Sequence, residues 1–109
     1  WADLMGDAFY GVKGLIAIAD GAPAGLVHYL RHRHAWRTGH VTYLQDLYVN
    51  QSIRGQGLGR ALIEAVYRES DKADAPLVYW TTEHDNEKGR QLYDRVATLT
   101  KFIKYQRQL

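Results

Sequence analysis

The stretch SIRGQGLGRAL, Ser52 to Leu62, sets Arg54 ahead of three glycines at alternate positions, Gly55, Gly57 and Gly59, with Arg60 close behind. Glycines carry no Cβ, so successive backbone N–H groups can point into one concavity, and such a nest receives an anion. A helix beginning there adds unpaired N–H donors and a partial positive charge. The two arginines add full charges. This is chemistry for a phosphate or pyrophosphate. A Walker loop requires a Gly-Lys-Ser/Thr ending, which is absent. The dinucleotide fingerprint G-x-G-x-x-G requires a wider final spacing than Gly57-Leu58-Gly59. What remains is Arg-x-x-Gly-x-Gly, met by Arg54, Gly57 and Gly59. The same residues also suit a tight strand-to-helix turn that binds nothing.

The flanking elements decide where such a turn would sit. Leu15 to Asp20 and Leu26 to Leu30 read as two strands around the turn residues Gly21, Pro23 and Gly25, a hairpin. His40 to Asn50 reads as a third strand. Alternation puts Val41, Tyr43, Gln45, Leu47 and Val49 on one face and Thr42, Leu44, Asp46 and Tyr48 on the other. Both faces are largely apolar, as in a strand covered on both sides. After the glycines, Leu58, Ala61, Leu62, Ala65 and Val66 recur at offsets of three and four, the stripe of an amphipathic helix. SDKADAP, Ser70 to Pro76, ends it, and Leu77 to Thr82 reads as another buried strand. Strand, glycine turn, helix and strand make a βαβ unit with parallel pairing. A second helix follows, capped by Asp85 or Asn86, with Leu92 and Val96 as its apolar stripe. Lys101 to Gln106 reads as a closing strand.

With 109 residues the chain suffices for one domain with a modest core. Apolar residues at 46% and charged residues at 24% place it among ordinary globular sequences. No apolar run reaches membrane-spanning length, so a membrane partner is not expected. The absence of cysteine excludes disulfides, thiolate metal sites and a cysteine nucleophile, and fits a cytoplasmic protein. The net charge of +2 comes without a long basic run, which argues against nucleic acid as the partner. The short basic segment RHRHAWR, Arg31 to Arg37, reads as a hairpin loop. His32 and His34 alternate within it, but no third ligand accompanies them, so no metal site is expected.

YLQDLYVNQSIRGQGLGRALIEAV, followed by DNEKGRQLYDRV, resembles the GNAT family of N-acetyltransferases. The likeness extends over roughly Gly14 to Tyr105. It implies an α/β fold (α+β by some schemes): a mixed, twisted sheet of about six strands with helices on both faces. It also implies acetyl-CoA as the acetyl donor. Arg54, Gly55, Gln56, Gly57, Leu58, Gly59 and Arg60 would then hold its pyrophosphate. Leu47, Tyr48 and Val49 would pair with the pantetheine arm, which enters a splay between this strand and the next. Asn86 matches a cofactor-contacting asparagine, and Tyr93 matches a tyrosine placed near the thioester sulfur. Gln45 stands where polyamine acetyltransferases carry the first of two adjacent acids. Lys101 stands where family members usually have glycine. At both positions the sequence departs from the pattern.

Transfer to an amine requires a deprotonated amine, a polarised carbonyl and capture of the departing thiolate. Without cysteine an acyl-enzyme relay on sulfur is impossible, and direct attack in a ternary complex is simpler. A backbone N–H near Leu47 to Val49 could polarise the carbonyl. Asn86, Arg90 and Tyr93 fall on one helix face, and a phenol, protonated at neutral pH, could serve as the acid. Asp46, an acid within an apolar strand, could orient or deprotonate the amine, or could pair with a nearby arginine. His84 is a second base candidate. Trp36, Tyr43, Tyr48, Tyr79 and Trp80 read as core or pocket walls.

The expected whole is a single N-acetyltransferase domain over residues 1–109, acting on a primary amine of a small molecule or peptide. A non-catalytic CoA-binding regulatory module of the same fold is the alternative. A salt-sensitive nucleic-acid-binding domain is a more distant rival. WADLMGDAF reads as the end of a helix, with no strand signal before Leu15. This leads us to expect an N-terminal strand and most of a helix ahead of the chain. An uncovered strand edge would then invite a homodimer.

Overall fold

Asp20 and Gly21 turn the chain with φ of 52° and 77°. Both lie in the left-handed region, the combination that a two-residue type I′ hairpin requires. Strand β2 (Lys13–Ala19) therefore returns directly as β3 (Ala22–Arg33). The turn is tighter than the Gly21 to Gly25 span expected from sequence, and Pro23 lies inside β3. It sits at a register shift between Ala17 and Ile18, where a residue without an N–H is tolerated. The structure, a computed structural model, describes residues 2–3, 11–34, 39–50 and 57–109. Of the basic segment, Arg31 to Arg33 belong to β3 rather than a loop, and Trp36 and Arg37 lie outside the described residues.

The remaining elements are β4 (His40–Val49), α1 (Leu58–Lys72), β5 (Val78–Tyr79) and α2 (Glu87–Val96). A two-residue strand, β1 (Ala2–Asp3), pairs antiparallel with β2 at Ile16 and Leu15. The sheet has five strands in the order β1-β2-β3-β4-β5, antiparallel except for the parallel β4–β5 pair. The α/β expectation of a mixed sheet around a βαβ unit holds.

Particular expectations fail for physical reasons. Ahead of Leu15 only Ala2 and Asp3 pair with the outer edge of β2, in a sequence that shows no strand pattern of its own. Residues 4–9 of WADLMGDAF lie outside the described residues. Leu77 to Thr82 forms a ladder only at Val78 and Tyr79. Lys101 to Gln106 forms no strand, and Phe102 and Ile103 are each 79% exposed. Alternating side chains do not make a strand unless an edge offers N–H and C=O groups, and the edge strand β5 is only two residues long.

The alternation of β4 also breaks. His28 lies opposite Asp46, but Tyr29 lies opposite Leu44, so Gln45 is an extra residue, a β-bulge. Directly opposed residues share a face, and Val27 opposes Leu47. Leu44 and Leu47 therefore face the same way, not opposite ways as strict alternation predicts. Both join the core with Leu15, Ala17, Val27 and Tyr29 from the sheet and Leu62, Ile63, Ala65 and Val66 from α1. Leu92, Tyr93 and Val96 of α2 pack against the same cluster. Among the described residues both helices lie on one face. On the other, Tyr43 stacks on Tyr79 with ring centroids 5.0 Å apart.

Gly25 fixes how closely α1 approaches the sheet. A Cβ there would come within 3.0 Å of Leu62 Cδ1 and 3.0 Å of the Tyr48 carbonyl oxygen. Overpacking of this kind costs about 1–3 kcal/mol. Gly25→Val should lower the denaturant midpoint of unfolding by a corresponding amount without changing the slope.

Candidate functional site

Strands β4 and β5 meet only at Thr42–Val78 and Tyr43–Tyr79. The Thr42 N–H donates to the Leu77 carbonyl at 2.9 Å. The Thr42 hydroxyl donates to the Ala75 carbonyl at 3.1 Å and accepts from the Ser70 hydroxyl at 3.0 Å. Both hydroxyls belong to fully buried residues. This buried knot ties the end of α1 and the approach to β5 onto the start of β4. Beyond Tyr43, β4 continues to Val49 while the chain after Tyr79 leaves it.

A cleft opens where the strands part. It is lined by Leu44, Gln45, Asp46 and Leu47 from β4, Ile63 from α1, Trp80 and Thr81 after β5, and Tyr93 from α2. The Tyr93 ring meets Trp80 edge-on with centroids 5.4 Å apart. Burial pushes the Tyr93 phenol above its ordinary pKa, so it remains protonated throughout the neutral range. Sequence reasoning placed Asp46 and Tyr93 on separate elements, and the fold brings them to the walls of one cleft.

Asn86 is the N-cap of α2. Its Oδ1 accepts from the Gly89 N–H at 3.2 Å, and its Nδ2 donates to the Thr82 hydroxyl at 2.9 Å. Its amide thus anchors the helix that carries Tyr93. The Arg90 guanidinium donates to the His84 carbonyl at 2.7 Å and ties down the same loop. Of the two caps considered, Asn86 serves and Asp85 does not.

The start of α1 lies near the other end of β4. Gly57 is its N-cap, with φ of 75°, no side-chain cap bond and no acid in the first turn. The first bond within the helix runs from the Ala61 N–H to the Gly57 carbonyl at 3.0 Å. The N–H groups of Leu58, Gly59 and Arg60 therefore precede the ladder. A Cβ at Gly57 would meet nothing within 4 Å, whereas one at Gly59 would lie 3.1 Å from Leu92 Cδ2. These two glycines answer different needs: Gly57 its backbone conformation, Gly59 the contact between α1 and α2. Arg60 leans towards Glu64, Nε to Oε1 at 3.4 Å. Arg54, Gly55 and Gln56 lie outside the described residues. Tyr48 is 59% exposed, while Leu47 and Val49 pack against the core.

Sequence reasoning missed His28. Its Nδ1 lies 3.4 Å from Asp46 Oδ2, across the β3–β4 ladder. The considered partner for Asp46 was an arginine. No sequence signal points to His28, because the pairing depends on a register set by the Gln45 bulge. His32 accounts for both of its ring nitrogens locally, with Nε2 2.7 Å from the Tyr79 hydroxyl and Nδ1 2.8 Å from the Arg33 carbonyl. No group of three potential metal ligands occurs among the described residues. No helix among them is long and apolar enough to cross a membrane.

These features coincide with a known family. The chain matches the Acetyltransferase (GNAT) family model over residues 1–97. The D-amino-acid N-acetyltransferase HPA3 of Saccharomyces cerevisiae is 42% identical over 87 residues, 80% of this chain and 54% of that protein. The chain thus spans about half the length of that curated relative. Among solved structures, a Vibrio cholerae integron cassette protein superposes with a TM-score of 0.82 at 26% identity, covering 91% of this chain and 62% of that one. The structure of AAC(6')-Iy with a CoA-linked bisubstrate analogue superposes with a TM-score of 0.81 at 21% identity, covering 94% and 71%. The chain belongs to the GNAT family of acetyltransferases.

Gly57 offers a direct test of its conformational role. In the left-handed region a Cβ costs about 1–2 kcal/mol, and asparagine tolerates the region better than alanine. Gly57→Ala should lower the melting temperature, and Gly57→Asn should lower it less. Equal losses would place the cost elsewhere.

Proposed function

We propose that this chain transfers an acetyl group from acetyl-CoA to a primary amine of a small molecule, by direct attack in a ternary complex. The observation that carries the reading is the parting of β4 from β5 with Tyr93 at the cleft wall. The residues present fit the donor. The start of α1 offers uncapped N–H groups, no first-turn acid and open space over Gly57, which suits a pyrophosphate. Arg60 lies in that first turn, and Arg54, Gly55 and Gln56 precede it in sequence. The edge of β4 from Leu44 onwards, which β5 does not cover, suits an extended amide-bearing arm.

Acetyl-CoA, when bound, supplies an activated acetyl thioester. The protein's part is to orient and to manage protons. Leu47 to Val49 align the arm along β4. Tyr93, kept protonated by burial, donates its hydroxyl proton to the departing sulfur. Asp46, exposed at the cleft, binds the acceptor's ammonium. Asn86 acts through the helix it caps, setting the height of Tyr93. The relative HPA3 is named for acetylating D-amino acids, which makes a small amino acid a sound first acceptor to try.

The absence of cysteine makes the assay clean, since any thiol released is CoA. Rising CoA concentration should raise the melting temperature by mass action. Tyr93→Phe should lower turnover at least about tenfold, a floor below the hundredfold to ten-thousandfold typical of general acid catalysis. CoA affinity should change little. Unchanged turnover would make Tyr93 a packing residue, and a melting temperature indifferent to CoA would refute the donor.

A further inference from the structure

We infer that Gln45 holds the carboxylate of an amino-acid acceptor, beside the Asp46 carboxylate that takes the acceptor's ammonium. This rests on the acetyl-transfer reading above and adds to it a residue that selects the acceptor. Consecutive strand residues normally face opposite sides of a sheet. The bulge suspends that rule here. Leu44 and Leu47 both turn towards the core under the helices, so the two residues between them share the other side. Gln45 and Asp46 are both exposed, and both line the cleft.

An α-amino acid carries its ammonium and its carboxylate on one carbon, so the groups that receive them must be close neighbours. Gln45 and Asp46 are adjacent in the chain and stand on one wall. Asp46 is the one charged residue among the described lining of the cleft, and its side chain is 61% exposed, so it draws an ammonium. A carboxylate requires hydrogen-bond donors set apart from that charge. The Gln45 carboxamide offers two N–H donors, and the Thr81 hydroxyl, beyond β5, offers another. Neither side chain has a hydrogen-bond partner among the described residues, so both are free to meet a ligand. An arginine at position 45 would pair with Asp46 and cancel the ammonium site. A carboxamide donates without doing so. Trp80, in the same lining, gives an apolar surface for the acceptor's own side chain.

The test follows thiol release from acetyl-CoA with two acceptors, D-phenylalanine and 2-phenylethylamine, which is the same molecule without its carboxylate. The wild-type protein should give the higher kcat/KM with D-phenylalanine. Gln45→Glu keeps the side chain's shape and sets a negative charge against the carboxylate. It should raise KM for D-phenylalanine at least about tenfold, because like charges brought together in a site repel. It should lower KM for 2-phenylethylamine, whose ammonium gains a second attraction. Gln45→Met, of similar length but without donors, should lower the ratio of the two kcat/KM values at least about fivefold. A merely structural disturbance would move both acceptors the same way. Equal changes for both acceptors in Gln45→Glu, or a wild type that prefers 2-phenylethylamine, would overturn the assignment and leave acetyl transfer standing. A wild-type protein that binds CoA but acetylates neither amine would remove the acetyl-transfer reading and this assignment together.

Discussion

The site exists because two strands stay together for two residues and then separate. Thr42 and Tyr43 hold Val78 and Tyr79, and the buried Ser70–Thr42–Ala75 hydrogen bonds hold that junction from below. Each hydroxyl in that chain would be costly to leave unpaired in a dry interior, so the arrangement is specified as well as stabilised. From this fixed point the edge of β4 runs on uncovered by β5. The cleft, the approach of α2 and the position of Tyr93 all follow from where the ladder stops.

The βαβ order, both helices and the apolar stripe of α1 could be read from the sequence, because periodicity of that length reports burial directly. Asp46 and Tyr93 could be singled out as well, one as an acid in an apolar strand and the other by family likeness. The Gln45 bulge could not be read. Alternation counts residues, and an inserted residue leaves no mark on side-chain type. That one residue reverses the facing of everything after it. It puts Leu47 in the core and Asp46 beside His28, so the sequence pattern was correct up to Leu44 and inverted beyond it.

The ends of the sheet were the least legible parts. Ala2 and Asp3 pair with β2 although nothing in their types asks for a strand, whereas Lys101 to Gln106, with Phe102, Ile103 and Tyr105, pairs with nothing among the described residues. In both cases the deciding quantity is a neighbour's supply of backbone donors and acceptors, which a local pattern does not contain. The glycine cluster was legible as a unit but not as separate roles. The left-handed φ of Gly57 and the packing of Leu92 against Gly59 set their roles apart.

The two helices are joined at both ends. Leu92 sits over Gly59 near the start of α1, and the Tyr67 hydroxyl donates to the Val96 carbonyl at 2.8 Å near the end of α2. Neither helix can slide without disturbing the other, which couples Ile63 and Tyr93, the residues they contribute to the cleft. A side chain introduced at position 59 would press on Leu92 Cδ2, so the size tolerated at 59 is coupled to the residue at 92 and to how far it can give way.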